Sequence, residues 1–100
     1  FESKEISLRK TRQAEHHEIK TVINNKIING RQFELEIITD SRPGLLSMIS
    51  GEINQLSLEI DKARINTLGN RAEDFFLITS KKVEETTIKQ LKKNILERLT

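Results

Sequence analysis

The chain has no cysteine, no tryptophan and no tyrosine, and it has a single proline. Without cysteine there is no disulfide, no thiolate metal site and no cysteine nucleophile. Four phenylalanines are the whole aromatic complement, too few for the stacking platform of a nucleic-acid-binding sheet. An excess of one charge is missing too. Seventeen basic side chains against 15 acidic ones leave +2, which argues against a polyanionic partner. No apolar run approaches the roughly 20 residues of a membrane span, and no signal-peptide pattern opens the chain. These absences fit the cytoplasm, the location we expect.

What remains is an ordinary globular balance, 35% hydrophobic and 32% charged, with a richly charged surface. One hundred residues make one domain, able to bury roughly two-thirds of its unfolded surface. The start at Phe1 leads us to expect a piece of a longer protein. Residues 1–14, FESKEISLRKTRQA, are polar without a clean apolar period. We expect a linker or the tail of an upstream domain there, and a single domain over 15–100.

In HEIKTVI, residues 17–23, Ile19, Val22 and Ile23 suggest a strand. NNKIING follows with turn chemistry, since asparagine and glycine tolerate positive φ. RQFELEIIT then alternates, with Phe33, Leu35 and Ile37 on one face and Glu34 and Glu36 on the other. The two strands form a plausible hairpin. Pro43 suits the first turn of the next helix, in which Leu45, Leu46, Ile49, Ile53 and Leu56 make one apolar stripe. LEIDKARINT, 58–67, is a strand whose parity slips, and a bulge near Asp61–Lys62 reconciles it. Gly69-Asn70 marks a tight hairpin. AEDFFLIT, 72–79, is apolar on both faces, as a central strand would be. Ile88, Leu91, Ile95 and Leu99 build a second helix. The order ββαββα predicts an α+β, ferredoxin-like two-layer sandwich, circularly permuted, with two helices on a four-stranded antiparallel sheet.

The stretch TDSRPGLL, 39–46, is the candidate site. Unpaired N–H groups at a helix start suit a carboxylate, and Gly44 would let a ligand approach the backbone. Asp40, or a carbonyl of the 39–41 loop, could accept from an ammonium. The alternative is that Pro43 and Gly44 only make a compact turn. Elsewhere the residues offer little chemistry. His16 and His17, adjacent in a strand, point to opposite faces and cannot chelate one metal. Glu73 and Asp74 likewise alternate, and Asp74 is expected to meet Arg64 or Arg71 across the hairpin. KKVEETTIKQLKKN reads as a solvated helix face. Phe75 and Phe76 face opposite ways, so Ile38, Phe75 and Leu77 are expected to cover a protein contact. No nucleophile, base and orienting group converge, so we expect no enzyme in this piece.

The residues ITDSRPGLLSMISGEINQLSLEIDKARI resemble the first half of an ACT domain, a small module that commonly binds amino acids. ARINTLGNRAEDFFLIT, 63–79, is similar to the last ACT repeat of the bifunctional uridylyltransferase/uridylyl-removing enzymes. The resemblance covers about residues 15–100. It implies a glutamine sensor, which controls addition and removal of UMP on the PII nitrogen-signal protein. The catalytic domains, with the Mg expected of the parent enzyme, would lie elsewhere. Over the matched motif, effector-binding residues would be Asp40, Ser41, Arg42, Gly44 and Leu45, together with Glu59 and Asp61 at the next strand's start. Two places depart from the pattern. Ser41 stands where the family usually has Asp, and Ser57, Glu59 and Asp61 stand where it often has glycine, then a small polar residue or asparagine, with histidine a little later. Glu59 and Asp61 could hold an ammonium but would repel a carboxylate. Partners implied are glutamine, a neighbouring ACT repeat or a second copy, and PII through the parent. A module that only pairs ACT repeats, without ligand, is the alternative.

Overall fold

The computed structural model describes residues 19–100. The expected linker over 1–14, the boundary at 15, and His16 and His17 lie outside the described residues. Six elements follow in order: β1 (Val22–Ile27), β2 (Gln32–Asp40), α1 (Leu45–Gln55), β3 (Glu59–Leu68), β4 (Arg71–Thr79) and α2 (Glu85–Leu99). The strands form one antiparallel sheet in the order β1-β2-β4-β3. β1 therefore flanks β2, the place that the last strand takes in a ferredoxin-like sheet. Both helices lie on one face, so the molecule is the expected two-layer sandwich.

Alternation in β2 and β4 sets that face. Phe33, Leu35, Ile37 and Thr39 of β2, with Ala72, Asp74, Phe76 and Ile78 of β4, are all buried beneath the helices. Ile49 and Ile53 of α1, and Ile88, Leu91 and Ile95 of α2, close the core from above. Burying each such side chain stabilises the fold by roughly 1.5–3 kcal/mol. Leu46, expected in the α1 stripe, is instead 45% exposed. Glu52 is buried on that helix and accepts a 2.8 Å hydrogen bond from Arg98 Nη1 of α2. An ion pair thus occupies part of the seam between the helices.

The first strand lies later than expected, at Val22–Ile27, and includes Asn24 and Asn25. As an edge strand it tolerates them because both side chains find partners. Asn24 Nδ2 donates to Glu36 at 3.0 Å, and Lys92 Nζ donates to Asn25 Oδ1 at 2.9 Å. The turn falls at 28–31, where Asn29 Oδ1 accepts the Arg31 N–H at 2.8 Å.

The β3 bulge is where parity demanded it, with the register shifting between Ile60 and Lys62. The β3–β4 loop is two residues long, with Gly69 at φ 65 in its first central position, as a type II′ turn requires. α1 ends in a Schellman motif. Leu58 N–H reaches Ile53 O, Ser57 N–H reaches Asn54 O, and Ser57 sits at φ 62.

Candidate functional site

The turn between β2 and α1 forms because Pro43-Gly44 cannot extend the strand. Gly44 has φ 77 and ψ 6 and caps α1, so the helix begins at Leu45 and Pro43 precedes it instead of entering its first turn. No side chain caps this end, and its first turn carries no acid. Its leading N–H groups are therefore available to an anion from outside. A Cβ on Gly44 would meet nothing within 4 Å, so the backbone there faces open space.

Around the turn the side chains are already engaged with one another. Arg42 pairs through Nη2 with Asp40 Oδ1 and donates through Nη1 to Leu99 O at 3.3 Å. The second bond ties the strand end to the C-terminus of α2. Thr39 Oγ1 donates to Asp40 Oδ1 at 3.2 Å, so in the 2.8 Å contact of Thr21 with Thr39 it is Thr21 that donates. The Arg42 guanidinium, with Thr39 assisting, holds the Asp40 carboxyl below the usual carboxylate value. Arg42 is consequently charge-compensated, and the backbone is the main anion-attracting element. Ser41 N–H donates to Asn70 O at 2.7 Å, pinning the turn to the β3–β4 loop. Leu45 is buried and anchors the helix start.

Glu59 and Asp61 are not brought to this turn. Asp40 pairs with Arg71 at one end of β4, whereas Glu59 pairs with Thr79 at the other. Asp61 lies near Gln32, whose Nε2 donates to it at 3.4 Å. The length of β2, at about 3.3 Å per residue, separates the two groups by roughly 26 Å. One copy of the chain cannot place all seven candidate residues around one small ligand.

Asp74 is a feature the sequence reading missed. It meets neither Arg64 nor Arg71: Arg71 pairs with Glu73 at 2.9 Å, and Arg64 lies over Phe75 on the other face. Asp74 is 1% exposed and its Oδ1 has no hydrogen-bond partner. Burial pushes its pKa up, with a bond from the Asn66 backbone acting the other way. The signal was its parity with Ala72, Phe76 and Ile78. Among the described residues no three His, Asp or Glu side chains cluster as metal ligands.

No family model matches the chain. Among solved structures, an ACT domain protein from Streptococcus pneumoniae superposes with a TM-score of 0.53, covering 60% of this chain and 68% of that one at 20% identity. The chain has the ACT fold. An unknown protein from Galdieria sulphuraria gives a TM-score of 0.61 at 16% identity, over 68% of this chain and 40% of that one.

Curated relatives align over most of the ACT-fold chain. The bifunctional uridylyltransferase/uridylyl-removing enzyme of Acinetobacter baumannii is 39% identical over 71 residues, 70% of this chain and 8% of that protein. Its counterpart in Psychrobacter arcticus is 33% identical over 93 residues, 89% of this chain and 10% of that protein. That of Haemophilus influenzae is 28% identical over 96 residues, 93% and 11%. The chain spans about a tenth of the length of these relatives. No described helix is long and apolar enough to cross a membrane.

Proposed function

We propose that this chain is the regulatory, amino-acid-binding domain of a bifunctional uridylyltransferase/uridylyl-removing enzyme, with glutamine as effector and the PII protein as the parent's substrate. The observation that carries this reading is the uncapped start of α1 behind Gly44. The N–H groups of Leu45, Leu46 and Ser47 would hold the α-carboxylate of glutamine. Both side-chain contacts to Asp40 fall on Oδ1, so Oδ2 and the carbonyls of 39–41 would take the ammonium. Glu59 and Asp61 would enter only from a neighbouring ACT domain laid antiparallel to this one. Mg would belong to the parent's catalytic part.

A second reading has the domain only pairing with other ACT repeats. The distance of Glu59 and Asp61 from the turn favours it, because one domain offers half a site.

Glutamine titration followed by backbone-amide NMR, with glutamate as control, decides between them. Saturable shifts at 40–46 with glutamine alone are expected, and Gly44→Ala should remove them. If glutamine up to about 10 mM, where binding weaker than roughly 3 kcal/mol escapes notice, moves nothing, even with the upstream repeat attached, the pairing reading replaces the sensor.

A further inference from the structure

The sheet face away from the helices carries charge in an ordered way. Across the strands, Glu36, Phe75 and Arg64 lie in one row, and Glu34, Leu77 and Lys62 lie in the next. In these two rows acids stand on β2, bases on β3, and apolar side chains on β4 between them; one row further along, the same face of β4 carries Glu73, paired with Arg71 of its own strand at 2.9 Å. Phe75, Leu77 and nearby Ile38 are half-buried in the single chain, and Val22 is 37% exposed. The Arg64 guanidinium sits 5.3 Å from the Phe75 ring centre. It borders a shallow hollow lined by Glu34, Lys62, Phe75 and Leu77.

We infer that this face is covered by a second copy of the chain, packed face to face about a two-fold axis running along β4. The charge layout selects that axis. Rotation about the strand direction lays each row on its own reverse. Glu36 then faces the partner's Arg64, Glu34 faces the partner's Lys62, and Phe75 and Leu77 pack on their own equivalents. A two-fold axis across the strands would set acid on acid and base on base, which repel. Over these two rows the face is self-complementary about the axis along β4, as an isologous interface requires, while Glu73 on that axis stays neutralised by Arg71 of its own chain.

The area sets the strength. Three strands about 4.8 Å apart and roughly 30 Å long give about 450 Å² of flat area per copy. Interdigitating side chains raise the total to about 1,000 Å², at the lower limit for a specific interface. An interface of that size belongs with weak, reversible encounters, and association is expected at or below about 1 mM. It needs no effector, so its test is independent of the glutamine reading.

The test is sedimentation of the 100-residue chain from about 10 µM to about 1 mM without glutamine, with circular dichroism confirming that each variant is folded. Glu36→Arg and Arg64→Glu should each weaken the dimer about tenfold or more. An equimolar mixture of the two should restore it, because both 36–64 pairs are again opposite in sign. Glu34→Lys and Lys62→Glu repeat the exchange one row along, should either first variant fail to fold. A wild-type chain that stays monomeric at about 1 mM overturns the inference. So do single variants that associate like the wild type, or a mixture that does not restore association.

Discussion

At the scale of single residues, two side chains sit where the local chemistry is unfavourable. Asp74 is a carboxylate in the core with one oxygen unpartnered. Its folded pKa lies above the usual 3.8, so the folded chain holds that proton more tightly than the unfolded one. The stability it contributes is full below the unfolded value and is lost as pH rises through the raised folded value. Asp74→Asn should therefore stabilise the chain at pH 7 by on the order of 1 kcal/mol. In thermal melts the gain should shrink as pH falls toward 4. Asp40 acts in the opposite sense. Its pKa is lowered, so its contribution is present above the unfolded value and lost as pH falls through the folded one. Ser57 holds a left-handed conformation that suits glycine, and Ser57→Gly should add about 1 kcal/mol by denaturant unfolding. Gly44→Ala, at φ 77 but with open space around it, should cost about 1–2 kcal/mol through backbone strain.

At the scale of elements, periodicity carried most of the fold. β2, β4 and α2 lie where alternation or the three-to-four spacing placed them, because burial on one face is what generates those periods. The bulge at Asp61 was legible as a parity slip between Ile60 and Ala63. β1 was not, because an edge strand has little burial to impose a pattern, and the bonds that admit Asn24 and Asn25 come from β2 and α2. Glu52 was equally hidden, since its partner Arg98 lies on another helix. Arg98→Ala leaves that carboxylate buried alone and should cost about 2 kcal/mol. Adding Glu52→Leu to it should recover part of the loss, which chemical denaturation of both variants would reveal.

At the scale of the whole molecule, the two ends of the sheet and its two faces have separate characters. The uncapped α1 start lies at one end, and the acids of β3 lie at the other. The sequence brings them within one motif-sized stretch, but α1, about 16 Å long, and the turns at its two ends return along the sheet and carry them apart. On the proposed reading a complete effector site would draw on two domains, whereas the face-to-face dimer centres on the middle rows of the outward face, at Glu34 and Glu36. A chain carrying both Glu36→Arg and Arg64→Glu keeps both 36–64 pairs opposite in sign. It should sediment as wild type does, and its glutamine shifts at 40–46 should be unchanged.

The sequence by itself determined the elements with a buried face, the two-layer class and the turn at Pro43-Gly44. In each case one residue period or one backbone preference dominates the energy. Tertiary structure decided the rest: the polar first strand, the burial of Asp74, the Glu52–Arg98 pair, and the separation of Glu59 and Asp61 from Asp40. Those depend on which groups meet across the sheet or between helices, and local spacing carries no information about partners far along the chain.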